Sequence, residues 1–194
     1  MSTRQQILEA VYQSIAEKGF LATNINEVVL QLGLTKGAFY YYFKDGKTEV
    51  GLAVIEELLA PDCLKRWEKT CDPKSDPILF LIKELRKEIA IVEEEEQIRP
   101  DPLHQLLREF VHQDHPFVER LHFIVQNMHE SISVGLKKGI DKGKVGPKTK
   151  CRQEAWYFLS SLQGAYLNAA ISRDPKVLIR AFKSQIRQLE SLRA

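Results

Sequence analysis

Residues 25–43 read Ile25-Asn26-Glu27-Val28-Val29-Leu30-Gln31-Leu32-Gly33-Leu34-Thr35-Lys36-Gly37-Ala38-Phe39-Tyr40-Tyr41-Tyr42-Phe43. Ile25, Val28, Val29 and Leu32 fall at helical spacing and form one apolar face. Gly33 follows at once, where the helix must stop and the backbone needs a left-handed conformation. Leu34 re-enters the core, and the Thr35 hydroxyl is suited to cap a new helix. Two short helices joined by a tight glycine turn are the form of a helix-turn-helix, whose second helix enters the DNA major groove.

The pattern extends outward on both sides. Residues 3–18 make an amphipathic helix, with Ile7, Leu8, Val11, Ile15 and Ala16 on one face and Gly19 at its end. Phe20 and Leu21 fold back, and Asn24 with Glu27 has the spacing of a capping box. Lys44-Asp45-Gly46 is a turn, and a fourth helix runs from Lys47 towards Pro61. Turn formers at 71–77 and 99–102 break the chain, and helices are expected at 77–96, 103–112, 116–142, 149–171 and 175–191. The acidic run Glu93–Glu96 sits unfavourably at a helix C-terminus and should fray or face solvent. No strand pattern or repeat is present, so the fold expected is all-α: a three-helix N-terminal bundle and a larger helical domain, about nine helices together.

Bulk properties narrow the class. With 44% hydrophobic and 28% charged residues the chain is globular rather than disordered. The net charge is +2, and residues 1–50 balance five basic residues (Arg4, Lys18, Lys36, Lys44, Lys47) against five acidic ones (Glu9, Glu17, Glu27, Asp45, Glu49). Any attraction for nucleic acid is therefore local: three lysines stand against one aspartate between Thr35 and Lys47. Three cysteines without a CxxC pair, no apolar leader and no apolar run near the roughly 20 residues of a bilayer span point to a reducing cytoplasm and no membrane.

The second helix carries the chemistry of the motif. Thr35 and Lys36 open it, where free N–H groups and the positive dipole end suit an anion. Gly37 lets its backbone approach a groove, Lys36 can reach guanine or phosphate, and Tyr40, Tyr41 and Tyr42 can donate hydroxyls to phosphate. Phe39 and Phe43, four apart, belong to the core. Three consecutive tyrosines cannot all face inward, so at least one of Tyr41 and Tyr42 should be exposed. Elsewhere chemistry is thin. His104, His112, His115, His122 and His129 cluster in sequence, but Pro116 interrupts the helix and no metal motif accompanies them, so no metal or other cofactor is expected. Buried structural roles are commoner than reactive ones for residues such as Cys63 and Cys71. No nucleophile elbow, phosphate loop or catalytic carboxylate pair marks an enzyme. A helical enzyme with a helix-turn-helix-like bundle and a helical interaction module are the alternatives to a DNA-binding regulator.

Arg4 with Ile7-Leu8, then Ala16-Glu17-Lys18-Gly19-Phe20, Ala22-Thr23, Gly33-Leu34-Thr35-Lys36-Gly37 and Phe39-Tyr40-Tyr41-Tyr42-Phe43 together resemble the TetR/AcrR family of bacterial regulators over about the first 55 residues. Tyr42 replaces the usual histidine, and Lys47 stands four residues after Phe43 rather than three. The resemblance implies a DNA-binding domain at 1–47 and an effector-binding and dimerisation domain at 48–194. It also implies phosphate contacts by Thr23 and Lys47, and release from DNA by an unknown small molecule. Candidate liners of the effector pocket are Trp67, Phe80, Phe110, Phe123, Met128, Trp156, Tyr157 and Tyr166, all residue types that serve as plain core more often than as pocket lining. A homodimer would read a palindromic operator. Its expected surface is the last helix pair, through Phe158, Leu162, Ala165, Ala169, Leu178, Phe182, Ile186 and Leu189, although the same face could simply close the monomer core.

Overall fold

Ser2 starts the first helix by accepting the Gln5 N–H at 3.2 Å, and α1 (Thr3–Lys18) follows. The computed structural model describes residues 1–72, 74–99 and 101–194; Pro73 and Pro100, within the expected breaks, lie outside the described residues. The architecture is all-helical, and no strand occurs among the described residues beyond an isolated bridge between Val145 and Arg193. The chain divides into two compact units, Met1–Cys63 with Pro100–Ile124, and Leu64–Arg99 with Val125–Ala194. No helix among the described residues is long and apolar enough to cross a membrane.

In the first unit α1 buries Ile7, Leu8, Val11, Ile15 and Ala16. Helix α2 (Ile25–Gln31) is capped by the Asn24 side chain, which accepts from the Asn26 N–H and donates to Glu27. The expected capping box is thus met on the backbone at the Asn26 N–H, one residue earlier than the box requires, and closed by the bond between its two side chains. Gly33 turns the chain at φ +67°, and α3 (Lys36–Tyr42) starts where Thr35 accepts the Ala38 N–H at 3.1 Å. Helix α4 (Lys47–Val54) does not stop at Pro61. It passes through a π-helical turn (Ile55–Leu59) directly into α5 (Ala60–Glu68). The wider turn, in which the Ala60 N–H reaches back to the Ile55 carbonyl, places proline in the first turn of a new segment. Counted as one bulged helix, 47–68 brings the described residues to nine helices. Helix α7 (Pro102–Phe110) and the start of α8 (Pro116–Asp141) complete this unit, where Phe20, Phe110 and Phe117 form a buried aromatic cluster.

The second unit comprises the end of α5, a 3-10 turn (Lys69–Cys71), α6 (Pro77–Glu95), the rest of α8, α9 (Cys151–Ser172) and α10 (Pro175–Ser191). Asp76 and Asp174, each followed by proline, cap α6 and α10. Helix α6 ends one residue before Glu96, which turns left-handed, and Glu93, Glu94 and Glu96 are exposed as the dipole argument requires. Helix α10 packs against both α9 and α6. As a result, Phe158, Ala165, Ala169, Leu178, Phe182, Ile186 and Leu189 are buried within a single chain and Leu162 is half-buried. The seam expected to meet a second copy therefore closes the core of this unit, because side chains already enclosed have little surface left for a partner. The apolar surface of α9 lies elsewhere, at Trp156, Tyr157, Leu167 and Ile171.

Candidate nucleic-acid interface

The α3 sequence distributes its aromatics as helical geometry demands. Phe39 and Phe43 are 1% exposed, their tilted rings 5.5 Å apart, and anchor the helix to the bundle. Tyr40 and Tyr41 point outward, 54% and 75% exposed, and half-buried Tyr42 meets Tyr41 edge-on at 5.0 Å. Thr35, Lys36 and Gly37 are exposed at the start of the helix. A Cβ added to Gly37 would meet only the Thr35 hydroxyl, at 3.8 Å. The fold itself does not need glycine there, although glycine weakens a helix by roughly 1 kcal/mol relative to alanine.

Beside this face runs a cleft of about 330 Å³ lined by Leu21, Ala22, Thr23, Asn24, Ile25, Asn26, Val29, Lys36, Phe39, Tyr40 and Lys47. Lys36, Lys47 and the Tyr40 hydroxyl give it donors and positive charge, the chemistry that meets a phosphate backbone. Thr23 and Lys47 are held differently from the other candidates. Thr23 is 2% exposed, and its hydroxyl donates to the Gly19 carbonyl at 2.7 Å and lies 3.1 Å from the Ser14 hydroxyl. Its side chain ties the α1–α2 turn together, since a buried hydroxyl must find partners inside. Lys47 folds back, donating to the Leu21 carbonyl at 3.0 Å with its ammonium 4.7 Å from the centre of the Phe20 ring. Burial lowers its pKa, and nearby Glu109 opposes that shift.

Glu109 is the residue that sequence reasoning missed. It lies on α7, yet its carboxylate accepts the Phe20 N–H at 2.7 Å and the Leu21 N–H at 3.2 Å. A lone glutamate 89 residues from its partner leaves no local pattern to read.

The candidate effector-pocket residues fall in both units. Phe110 and Phe123 belong to the first unit, where Phe110 is enclosed by Phe20, His115 and Phe117 and Phe123 is exposed. The other six belong to the second unit. There Trp67 is buried 5.6 Å from Phe158, Met128 is buried and Phe80 is half-buried. Trp156 stacks on buried His129 at 4.2 Å, Tyr157 is exposed, and Tyr166 meets Phe182 at 5.7 Å. Tyr166 also donates to Glu88 at 3.0 Å, and Glu88 and Glu84 share Arg66.

Residues 7–54 match the family described as bacterial regulatory proteins, tetR family. Over 68 residues the chain is 41% identical to an uncharacterised HTH-type transcriptional regulator of Lactococcus lactis subsp. lactis, covering 35% of this chain and 32% of that protein. Over 177 residues it is 24% identical to the HTH-type transcriptional regulator BetI of Burkholderia cenocepacia, covering 89% and 84% of the two chains. Against several curated relatives the chain spans only a third to just over half of their length: 32%, 50% and 56%. The structure of the regulatory protein TetR from Rhodobacter sphaeroides shares its fold with a TM-score of 0.80 at 20% identity, over 94% of this chain and 96% of that one. The family's helix-turn-helix segment is thus matched in sequence over residues 7–54, and the fold of nearly the whole chain is similar to that of a TetR regulatory protein.

Proposed function

We propose that this regulator is a cytoplasmic homodimeric repressor that binds a palindromic operator and is released by a small molecule. Residues 1–47 would carry DNA contact, and 48–194 effector binding and dimerisation. The observation that carries the reading is the exposed face of α3, where Lys36, Gly37, Tyr40 and Tyr41 stand clear of the fold beside a cleft with basic residues. In this reading Lys36 and the tyrosine hydroxyls meet base edges and phosphate, Lys47 borders the same backbone, and no cofactor takes part.

One helix-turn-helix reads few base pairs, and two copies related by a two-fold axis read half-sites one helical turn, about 34–36 Å, or a multiple apart. Exposed Tyr157, Leu167 and Ile171, with Trp156 beside them, recur at helical spacing along α9 and supply the self-complementary surface of such a dimer. The aromatic and polar groups of the second unit, Trp67, Met128, Tyr166, Arg66 and Glu88 among them, are the lining offered to an effector. An effector would act through its different affinity for the DNA-binding and released arrangements. Selection of genomic fragments by the purified protein, with sedimentation of the complex, tests the reading. A dimer on a two-fold symmetric site supports it, and a monomer with no preferred fragment contradicts it.

A further inference from the structure

We infer that Glu109 is a positioning residue for DNA binding: from α7 it grips the turn on which the helix-turn-helix is seated. The turn Gly19-Phe20-Leu21 joins α1 to the segment that leads into α2, so its conformation sets the direction in which α2 and α3 leave the bundle. Two side chains hold it from opposite polarity. The Glu109 carboxylate accepts the N–H groups of Phe20 and Leu21, and Lys47 donates to the Leu21 carbonyl. Each bond has one charged partner, which makes it stronger and more directional than a neutral one.

The neighbouring geometry is built around this grip. Gly19 has φ +85°, and a Cβ there would overlap the Glu109 carboxylate, so the backbone comes as close to the acid as only glycine allows. Gln105, one turn earlier on α7, donates to the Ala16 carbonyl at 3.4 Å, giving the helix a second hold on the end of α1. Phe20 is clamped on its other side by Phe110 and Phe117, at 5.7 Å and 4.7 Å. Leu21 and Lys47 at the same time line the cleft beside α3. The turn held by Glu109 is thus one wall of the surface offered to DNA, while the Glu109 side chain itself is directed at the inner N–H groups. Loosening α7 would free two backbone N–H groups, move the Glu109 charge away from Lys47 and unseat α2 without removing any DNA contact.

The inference rests on the DNA-binding assignment of the family, and the wild-type protein in the same titrations reports on that assignment separately. Glu109→Gln and Glu109→Ala are compared with wild type for affinity to a selected operator across a salt series. Thermal unfolding is followed in parallel, so that affinities are compared only where each protein is folded. Loss of charged hydrogen bonds predicts about a tenfold or greater fall in affinity for Glu109→Ala and a smaller one for Glu109→Gln, which keeps an acceptor oxygen. The slope of log affinity against log salt should stay at the wild-type value, because no phosphate contact is lost. Unchanged affinity with a lowered melting temperature would reduce Glu109 to a stabilising role and overturn the inference, as would a changed slope. Hydrogen exchange of the unmodified free protein gives a test that needs no variant. The Phe20 and Leu21 amides should exchange as slowly as those of the α1 interior, and rapid exchange would show that the grip does not exist in solution.

Discussion

Gly37 separates what the fold needs from what DNA needs. Its surroundings leave room for a methyl group, and its backbone is helical, so alanine should fit without strain. Gly37→Ala is expected to stabilise the protein in chemical denaturation, by at most the roughly 0.5–1 kcal/mol of a helix-interior position, since Gly37 lies in the first turn of α3. The same methyl would stand between α3 and the groove, so operator affinity should fall while stability rises. A variant that gains stability and keeps full affinity would show that α3 does not approach DNA at this position. The Phe39–Phe43 pair and the exposure of Tyr41 follow from 100° steps around a helix, which is why they were legible in the sequence, whereas the outward turn of Tyr40 was not read there. Thr23 was legible only in part: its position in the motif was visible, but the partners of its buried hydroxyl, Ser14 on α1 and Gly19 at the end of that helix, were not.

At the scale of elements, α7 is the piece that joins sequence-distant residues to the helix-turn-helix. Its N-cap, Asp101, accepts the His104 N–H at 3.0 Å and lies 3.1 Å from the His104 ring nitrogen. Burial by itself would raise the Asp101 pKa. The bonds to the His104 side chain and to the backbone of His104 and Leu103 outweigh it and leave the pKa below the ordinary aspartate value. A carboxylate with a depressed folded pKa contributes stability that is present above its unfolded value, near 3.8. That stability is lost as the pH falls through the lower, folded value. Asp101→Asn should remove this part of the acid sensitivity, read as a shallower fall of melting temperature below pH 4 than in wild type; parallel curves would contradict the assignment. Asp76, Asp101 and Asp174, each followed by proline, cap their helices through local contacts. The π-helical turn at Ile55–Leu59 was not readable, since proline in sequence signals a helix end and only the backbone register reveals how Pro61 is passed. Glu109 was illegible for a related reason, its meaning residing entirely in a partner 89 positions away.

At the scale of the whole molecule, the faces of α9 and α10 show where amphipathic patterning stops being informative. Periodicity marks a face as buried but does not say whether its cover is the same chain or a second copy. Leu178 and Phe182 are covered by their own chain, whereas Tyr157 and Ile171 are exposed. If the outer α9 face forms the dimer, Tyr157→Glu with Ile171→Glu should leave a folded chain that sediments as a monomer and binds an operator at least about a hundredfold more weakly, because the second half-site no longer adds to the first. A dimer that persists in this variant would move the interface elsewhere. The central claim, that α3 reads DNA, is tested most directly by footprinting a selected operator with wild type and Lys36→Gln over a range of salt. The predicted result is two protected half-sites related by a two-fold axis for wild type, with Lys36→Gln binding at least about tenfold more weakly and, if Lys36 meets phosphate, with a salt slope smaller by about one per subunit. Identical footprints and affinities for the two proteins would contradict it.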